Sequence, residues 1–270
     1  MGRLRYGPSV DSAVDSPTEL VAALQARGMS ACEIPPSGRF WNDYGLATEL
    51  GAVAAEAGVV LSLHAPIAGF MGHAERGRKL NMAIGMLDHS AGIAKAAGCE
   101  IVVFHPGFLL GRTHEETIDA VVEQLGELRT RLEGKDRAVP FGIEVMGRVR
   151  ELGSADDVVE ISRRLGWVRP VLDFAHMHAT SDGAMTTVSP FVEALAKVDA
   201  VLEPGAPFHI HFSDIQFANR NETKHLPYGE GTLRAEPLRE ALARFERPAT
   251  VISESPTAAS TDQIREILGA

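Results

Sequence analysis

Apolar runs recur along this chain at a spacing that alternates with helical patterning. Runs at 4–7, 31–34, 59–63, 100–104, 141–145, 168–174, 207–212 and 250–253 read as strands. Between them, apolar residues at helical spacing predict helices over 16–27, 44–57, 75–97, 113–132, 154–165 and 189–202, one ending near 245, and one over 261–268. The punctuation agrees. Ser16 and Pro17 suit a helix start, Gly28, Gly58 and Gly98 suit helix stops, and Thr113 with Glu116 fits a capping box. The stretch from 213 to about 235 is polar and reads as a long loop. Eight β/α alternations without a low-complexity linker predict a closed (β/α)8 barrel, one domain over 1–270. The length is ordinary for that fold.

The way the strands end adds chemistry. Six consecutive apolar runs stop at a metal-ligand type of residue: Leu61-Ser-Leu-His64, Val102-Val-Phe-His105, Gly142-Ile-Glu144, Val171-Leu-Asp173, His209-Ile-His211 and Ile252-Ser-Glu254. With 36 acidic residues and 10 histidines in 270, and about three candidate positions per strand end, six matches in a row arise by chance at roughly 0.6 %. In a (β/α)8 barrel the strand C-termini converge on one face, where active sites sit. Ligands distant in sequence would therefore meet. Three His, two Glu and one Asp suit zinc, manganese or iron better than calcium. Residues two apart in a strand share a face. Val103, Val171 and Ile252 would thus fill the barrel beneath His105, Asp173 and Glu254, and Gly142 would leave space below Glu144. His209 reads as a core or supporting histidine one layer below His211. His176 falls in the loop after Asp173, within reach of a second ion, and His178 reads as a rim residue facing away. His225 is the remaining candidate ligand, and Gly229-Glu-Gly231 could cradle an anion through backbone NH groups. His73, His89 and His114 read as surface or core histidines.

Charge and composition narrow the setting. A net charge of −10 argues against a uniformly basic nucleic-acid coat, while a local positive groove, or bound metals, would escape that count. Two cysteines, Cys32 and Cys99, give no disulfide framework. The first residues lack an apolar signal core, and no uncharged run is long enough for a bilayer. A cytoplasmic monomer without membrane association is expected.

Taken together, LSLHAP, VVFHPG, GIEVMG, LDFAH, HIHFSD, KHLPYGEG and SESP resemble the endonuclease IV family of apurinic/apyrimidinic DNA-repair enzymes, within the xylose-isomerase-like barrels. The resemblance covers nearly the whole chain and is strongest from about Leu61 to Pro256. The HIHFS and KHLP forms look like a shorter archaeal and bacterial branch. By this resemblance the chain would hold two or three zinc ions, with manganese as an alternative, and hydrolyse DNA 5′ to abasic sites in base excision repair. His64 and His105 would bind one ion and share bridging Glu144 with a second. Asp173, His211 and Glu254 would complete the second, and His176 and His225 would bind the third. Glu144, His176 and His225 would be the catalytic set. Metals about 3.5–4 Å apart can activate water and clamp a phosphate, and a third can stabilise the leaving oxygen.

The sequence departs from the family in two places. Thr223 stands where the family has an aspartate, so either the adjacent Glu222 supplies the carboxylate or the third site is weaker. Ile67 stands where the family inserts an aromatic residue into DNA. Arg39 falls where the family probes DNA with an arginine, and Lys224 is expected near the same rim. Two other classes fit parts of the pattern. A sugar isomerase or epimerase on the same barrel would need one metal, at Glu144, Asp173, His211 and Glu254. A non-catalytic binding protein would keep the metals for structure alone.

Overall fold

The computed structural model describes residues 4–10, 14 and 16–270. The beginning of the N-terminal segment discussed above lies outside them. The chain runs β1 (Leu4–Pro8), α1 (Pro17–Ala26), β2 (Ala31–Ile34), α2 (Gly38–Asn42), α3 (Tyr44–Ala57) and β3 (Val60–His64). A 3₁₀ turn (Ile67–Gly69) precedes α4 (Arg78–Ala97) and β4 (Val102–Phe104). Then come α5 (His114–Gly134), β5 (Phe141–Glu144), α6 (Ala155–Leu165), β6 (Val168–Asp173), α7 (Phe174–Thr180), α8 (Val188–Asp199) and β7 (Phe208–Phe212). A hairpin of β8 (Asp214–Ala218) and β9 (Asn221–Leu226) leads to α9 (Glu236–Leu242), β10 (Ala249–Ser253) and α10 (Ala258–Leu268).

Eight strands form one parallel sheet in the order β1-β10-β7-β6-β5-β4-β3-β2. The two ends of that order meet. The Ser30 amide donates to the Tyr6 carbonyl at 2.9 Å, and the Val10 amide to the Glu33 carbonyl at 2.9 Å. Glycine permits this closure: a Cβ on Gly7 would lie 1.5 Å from the Ala31 carbonyl oxygen. The sheet is thus a (β/α)8 TIM barrel. The local devices match those read from the sequence. Ser16 Oγ accepts from the Glu19 amide, and Thr113 with Glu116 forms a full capping box.

The large apolar core lies between the sheet and the surrounding helices. Inside the barrel, Ile101, Val103 and Val171 form a small separate cluster. A Cβ on Gly142 would lie 2.6 Å from Val171 Cγ2 and 2.7 Å from Ile101 Cδ1. The space below Glu144 is therefore filled by neighbouring strands. The interior near β2, β3 and β7 is instead polar, with buried Glu33, Ser62 and His209.

Two expectations need correction. The stretch after β7 is a hairpin and not simply a loop. Its two turn residues, Asn219 and Arg220, both take left-handed backbone, with φ of 52° and 63°, as primed two-residue turns require. Much of the hairpin is solvent-facing, so no apolar alternation announces it, and its turn lacks glycine. His176 lies on a short helix, α7, because Asp173 caps it: the carboxylate accepts from the His176 amide at 2.8 Å.

Candidate metal centre at the strand C-termini

Every side chain of the predicted ligand set comes from the C-terminal end of a barrel strand or from the segment that follows it. At the centre sits Glu144, 1 % exposed. Its Oε2 lies 3.1 Å from His64 Nε2 and 3.2 Å from His105 Nε2. Its Oε1 lies 3.1 Å from His211 Nδ1 and 3.5 Å from His176 Nδ1. Each oxygen thus serves a different pair of imidazoles. Glu254 Oε1 approaches His211 Nδ1 at 3.4 Å, and its Oε2 approaches His225 Nε2 at 3.6 Å.

Backbone carbonyls orient two of the rings. His64 Nδ1 lies 2.8 Å from the Ala65 carbonyl and His176 Nδ1 lies 2.8 Å from the Val145 carbonyl. A carbonyl only accepts, so both Nδ1 atoms carry protons and both Nε2 atoms are the donors available to a metal. His176 Nε2 faces Glu222 Oε2 at 2.8 Å. Glu222, His176 and His225 present ligand atoms within 4.8 Å of one another. Glu222 therefore folds in beside these histidines, while Thr223 Oγ1 donates to the Gln216 carbonyl at 2.9 Å. Gly147 makes room, because a Cβ there would lie 2.6 Å from Glu222 Oε2.

The donor set fits divalent cations. His64, Glu144, His211 and Glu254 form one close group, and Glu144, Asp173 and His176 another. Asp173 Oδ2 is buried with no hydrogen-bond partner, a costly arrangement for a carboxylate unless a cation meets it. Burial pushes the Asp173 carboxyl up, His176 opposes this, and Glu254 and Glu144 add to the rise, leaving it well above the usual range. Burial would also raise Glu144, but His211 and His105 outweigh it and hold this carboxyl well below the usual range. Burial disfavours the His64 imidazolium, yet Glu144 outweighs that and pushes it up to about 9. His211 and His176 are likewise raised against burial, the first by Glu33, Glu254 and Glu144, the second chiefly by Asp173 and Glu222.

An open cavity of about 260 Å³ gives access to the centre, lined in part by His64, His105, Glu144, His176, Glu222, His225 and Glu254. Ile67 stands at its wall, 64 % exposed. Arg39 is exposed on α2 and Lys224 is exposed on β9, and neither lines the cavity.

Two readings fail here. His178 is not a rim residue: it is fully buried on α7, with Nε2 bonded to Thr232 Oγ1 at 2.8 Å. The Gly229-Glu-Gly231 turn is not open to an anionic ligand. Its amides at Gly229 and Gly231 donate to the buried Asp214 carboxylate at 3.1 and 2.8 Å, joined by Leu233 at 3.1 Å. The anion in the cradle is the protein's own.

Glu33 also belongs to this cluster, although the strand-end pattern does not mark it. It is fully buried on β2, with Oε1 3.1 Å from His211 Nε2 and Oε2 3.3 Å from His209 Nε2. The available signal was an acidic residue inside an otherwise apolar strand, Ala31-Cys-Glu-Ile34.

These features define a metal-ready (β/α)8 barrel. The model of the xylose isomerase-like TIM barrel family matches residues 21–269, and the chain belongs to that family. An uncharacterized protein of Methanocaldococcus jannaschii is 30 % identical over 200 residues, covering 73 % of this chain and 72 % of that protein. Among solved structures, a D-tagatose 3-epimerase-like protein superposes with a TM-score of 0.76 at 21 % identity, covering 98 % of this chain and 96 % of that one. Endonuclease IV from Thermus thermophilus superposes with a TM-score of 0.73 at 16 % identity, covering 98 % and 97 %. At these identities the two likenesses establish the shared fold. Among the described residues no helix is long and apolar enough to cross a membrane.

Proposed function

We propose that the protein is a metal-dependent phosphodiesterase of the endonuclease IV type, cutting DNA 5′ to apurinic/apyrimidinic sites with two or three divalent ions, zinc or alternatively manganese. One observation carries the reading: Glu144 Oε2 faces His64 and His105 while its Oε1 faces His211, and a further triad of His176, Glu222 and His225 opens on the same cavity. A one-metal sugar isomerase needs only Glu144, Asp173, His211 and Glu254. It leaves His64, His105, Glu222 and His225 without a task.

In this reading His64, His105 and Glu144 would hold one ion, Asp173, His211 and Glu254 with Glu144 would hold the second, and His176, Glu222 and His225 would hold the third. When bound, the ions supply Lewis acidity, an easily ionised water and a clamp on the phosphate. The protein's own part is orientation. The Ala65 and Val145 carbonyls fix two rings, and Gly147 admits Glu222. Ile67, at the cavity wall, gives an apolar surface to fill the gap where a base is missing.

Elemental analysis and a nicking assay test the proposal. The purified protein should carry two to three zinc equivalents after loading and should nick a duplex containing a single abasic site, leaving the break on its 5′ side. A protein that binds one metal, leaves abasic duplex intact and interconverts a ketose with an aldose or an epimer would belong to the isomerase class instead.

A further inference from the structure

Beneath the candidate centre lies a polar layer that the proposed reaction does not use. Glu33 is buried at the middle of it, 0 % exposed. Both of its oxygens are near His211 Nε2, Oε1 at 3.1 Å and Oε2 at 3.3 Å. Oε2 also accepts from Ser62 Oγ at 2.8 Å and lies 3.3 Å from His209 Nε2. The Glu33 main chain is held as well, since its carbonyl accepts from the Val10 amide at the β1–β2 closure. The carboxylate therefore has one position, and three side chains converge on it.

His211 is the ring that this position governs. Its Nδ1 points at Glu144 Oε1 and Glu254 Oε1, at 3.1 and 3.4 Å, and its Nε2 points down at Glu33. A neutral imidazole carries one proton and one lone pair. A carboxylate only accepts, so a ring facing Glu33 through Nε2 keeps its proton there and offers its lone pair through Nδ1. We propose that Glu33 is a positioning residue, which takes the Nε2–H of His211 and so presents Nδ1 to a divalent ion shared with Glu144 and Glu254. His209 and Ser62 hold Glu33 against rotation rather than binding metal themselves. A carboxylate behind a ligating histidine also raises the ring's basicity, and loss of such a partner typically weakens metal binding about 10–100-fold. The inference rests on the reading of His211 as a ligand and is independent of which substrate the protein attacks.

The test uses the full zinc-loaded chain labelled with ¹⁵N-histidine. Long-range proton–nitrogen correlation should show His211 protonated at Nε2, with that proton slow to exchange. In Glu33→Gln the same proton should exchange faster, and zinc affinity by chelator competition should fall about 10–100-fold while far-UV circular dichroism stays unchanged. Ser62→Ala, which removes one donor from Glu33 and leaves the charge, should weaken zinc about threefold, and it decides the matter if Glu33→Gln fails to fold. The proposal is overturned if loaded His211 carries its proton on Nδ1. It is overturned equally if His211 carries no ring proton, because Glu33, His209 and His211 would then be binding an ion of their own. Wild-type zinc affinity in folded Glu33→Gln, or in Ser62→Ala where that variant decides, also overturns it. None of these readouts involves DNA, so failure to nick abasic duplex would remove the proposed reaction and leave this inference standing, whereas failure to bind zinc would remove both.

Discussion

Glu144 is the residue on which the candidate metal centre turns, because one carboxylate lies among four imidazoles. Glu144→Gln keeps the shape and removes one ligating oxygen's charge. We expect it to lose metal and activity together, with at least about a 10²-fold drop in each; full metal occupancy in that variant would contradict the bridging role. His64 makes a second prediction. In the metal-free protein its imidazole is pushed up to about 9 from an ordinary value of 6.5. A raised value means that the proton stabilises the metal-free fold below about pH 6.5, and that this contribution is lost as pH rises through 9. Zinc must displace that same proton. Zinc affinity should therefore climb with pH, by up to about tenfold per unit from this group, and level off above about 9. Chelator competition across that range checks the slope; a flat profile would show that His64 is not a ligand.

At the scale of elements, six of the eight barrel strands were legible because each is an apolar run that halts at an acidic or imidazole side chain. Physically, the run fills the barrel or packs on helices, and the halt is where the strand emerges at the metal face. Val103 beneath His105 and Val171 beneath Asp173 follow that rule. Glu33 escaped it because Ile34 follows, so the run does not stop at the acid. The β8–β9 hairpin escaped because much of it faces solvent and its turn uses Asn219 and Arg220 where glycine would have signalled it. Glu222 could be named from sequence only as one of two outcomes, since its approach to His176 depends on the hairpin docking over Gly147. That dependence is testable. Gly147→Ala should push the Glu222 carboxylate away and lower metal content by one ion while leaving the fold intact. Unchanged stoichiometry in a folded Gly147→Ala would argue against a third site that relies on Glu222.

For the whole molecule, the proposed function sets an acidic chain against a polyanionic partner. A net charge of −10 repels DNA at long range, so under the proposed function binding would come from ions in the centre and from basic groups such as Arg39 and Lys224. Phosphate contacts release counterions, and affinity for abasic duplex should fall steeply as salt rises. Abasic nucleotides should be favoured because a missing base lowers the cost of unstacking. Arg39→Ala should weaken binding about fivefold at low salt without changing metal content. Fluorescence anisotropy with paired intact and abasic duplexes measures both effects. Equal affinity for the two duplexes, insensitive to salt, would count against a DNA substrate.

The position of β10 has a consequence in time. This strand, near the end of the chain, lies between β1 and β7 and brings Glu254 to the centre. Until it inserts, β1 lacks its parallel neighbour on one side and the ligand set lacks a carboxylate. During synthesis, a ribosome that has released everything up to α9 would therefore hold a chain with seven of the eight barrel strands and no complete cage for an ion. Pairings this distant in sequence form late and slowly, and metal binding couples to folding when the ligands are assembled by the fold itself. Under the proposed function, capture of the ions would be a reporter of maturation: a nascent protein would acquire its cations only after its first and last strands had met.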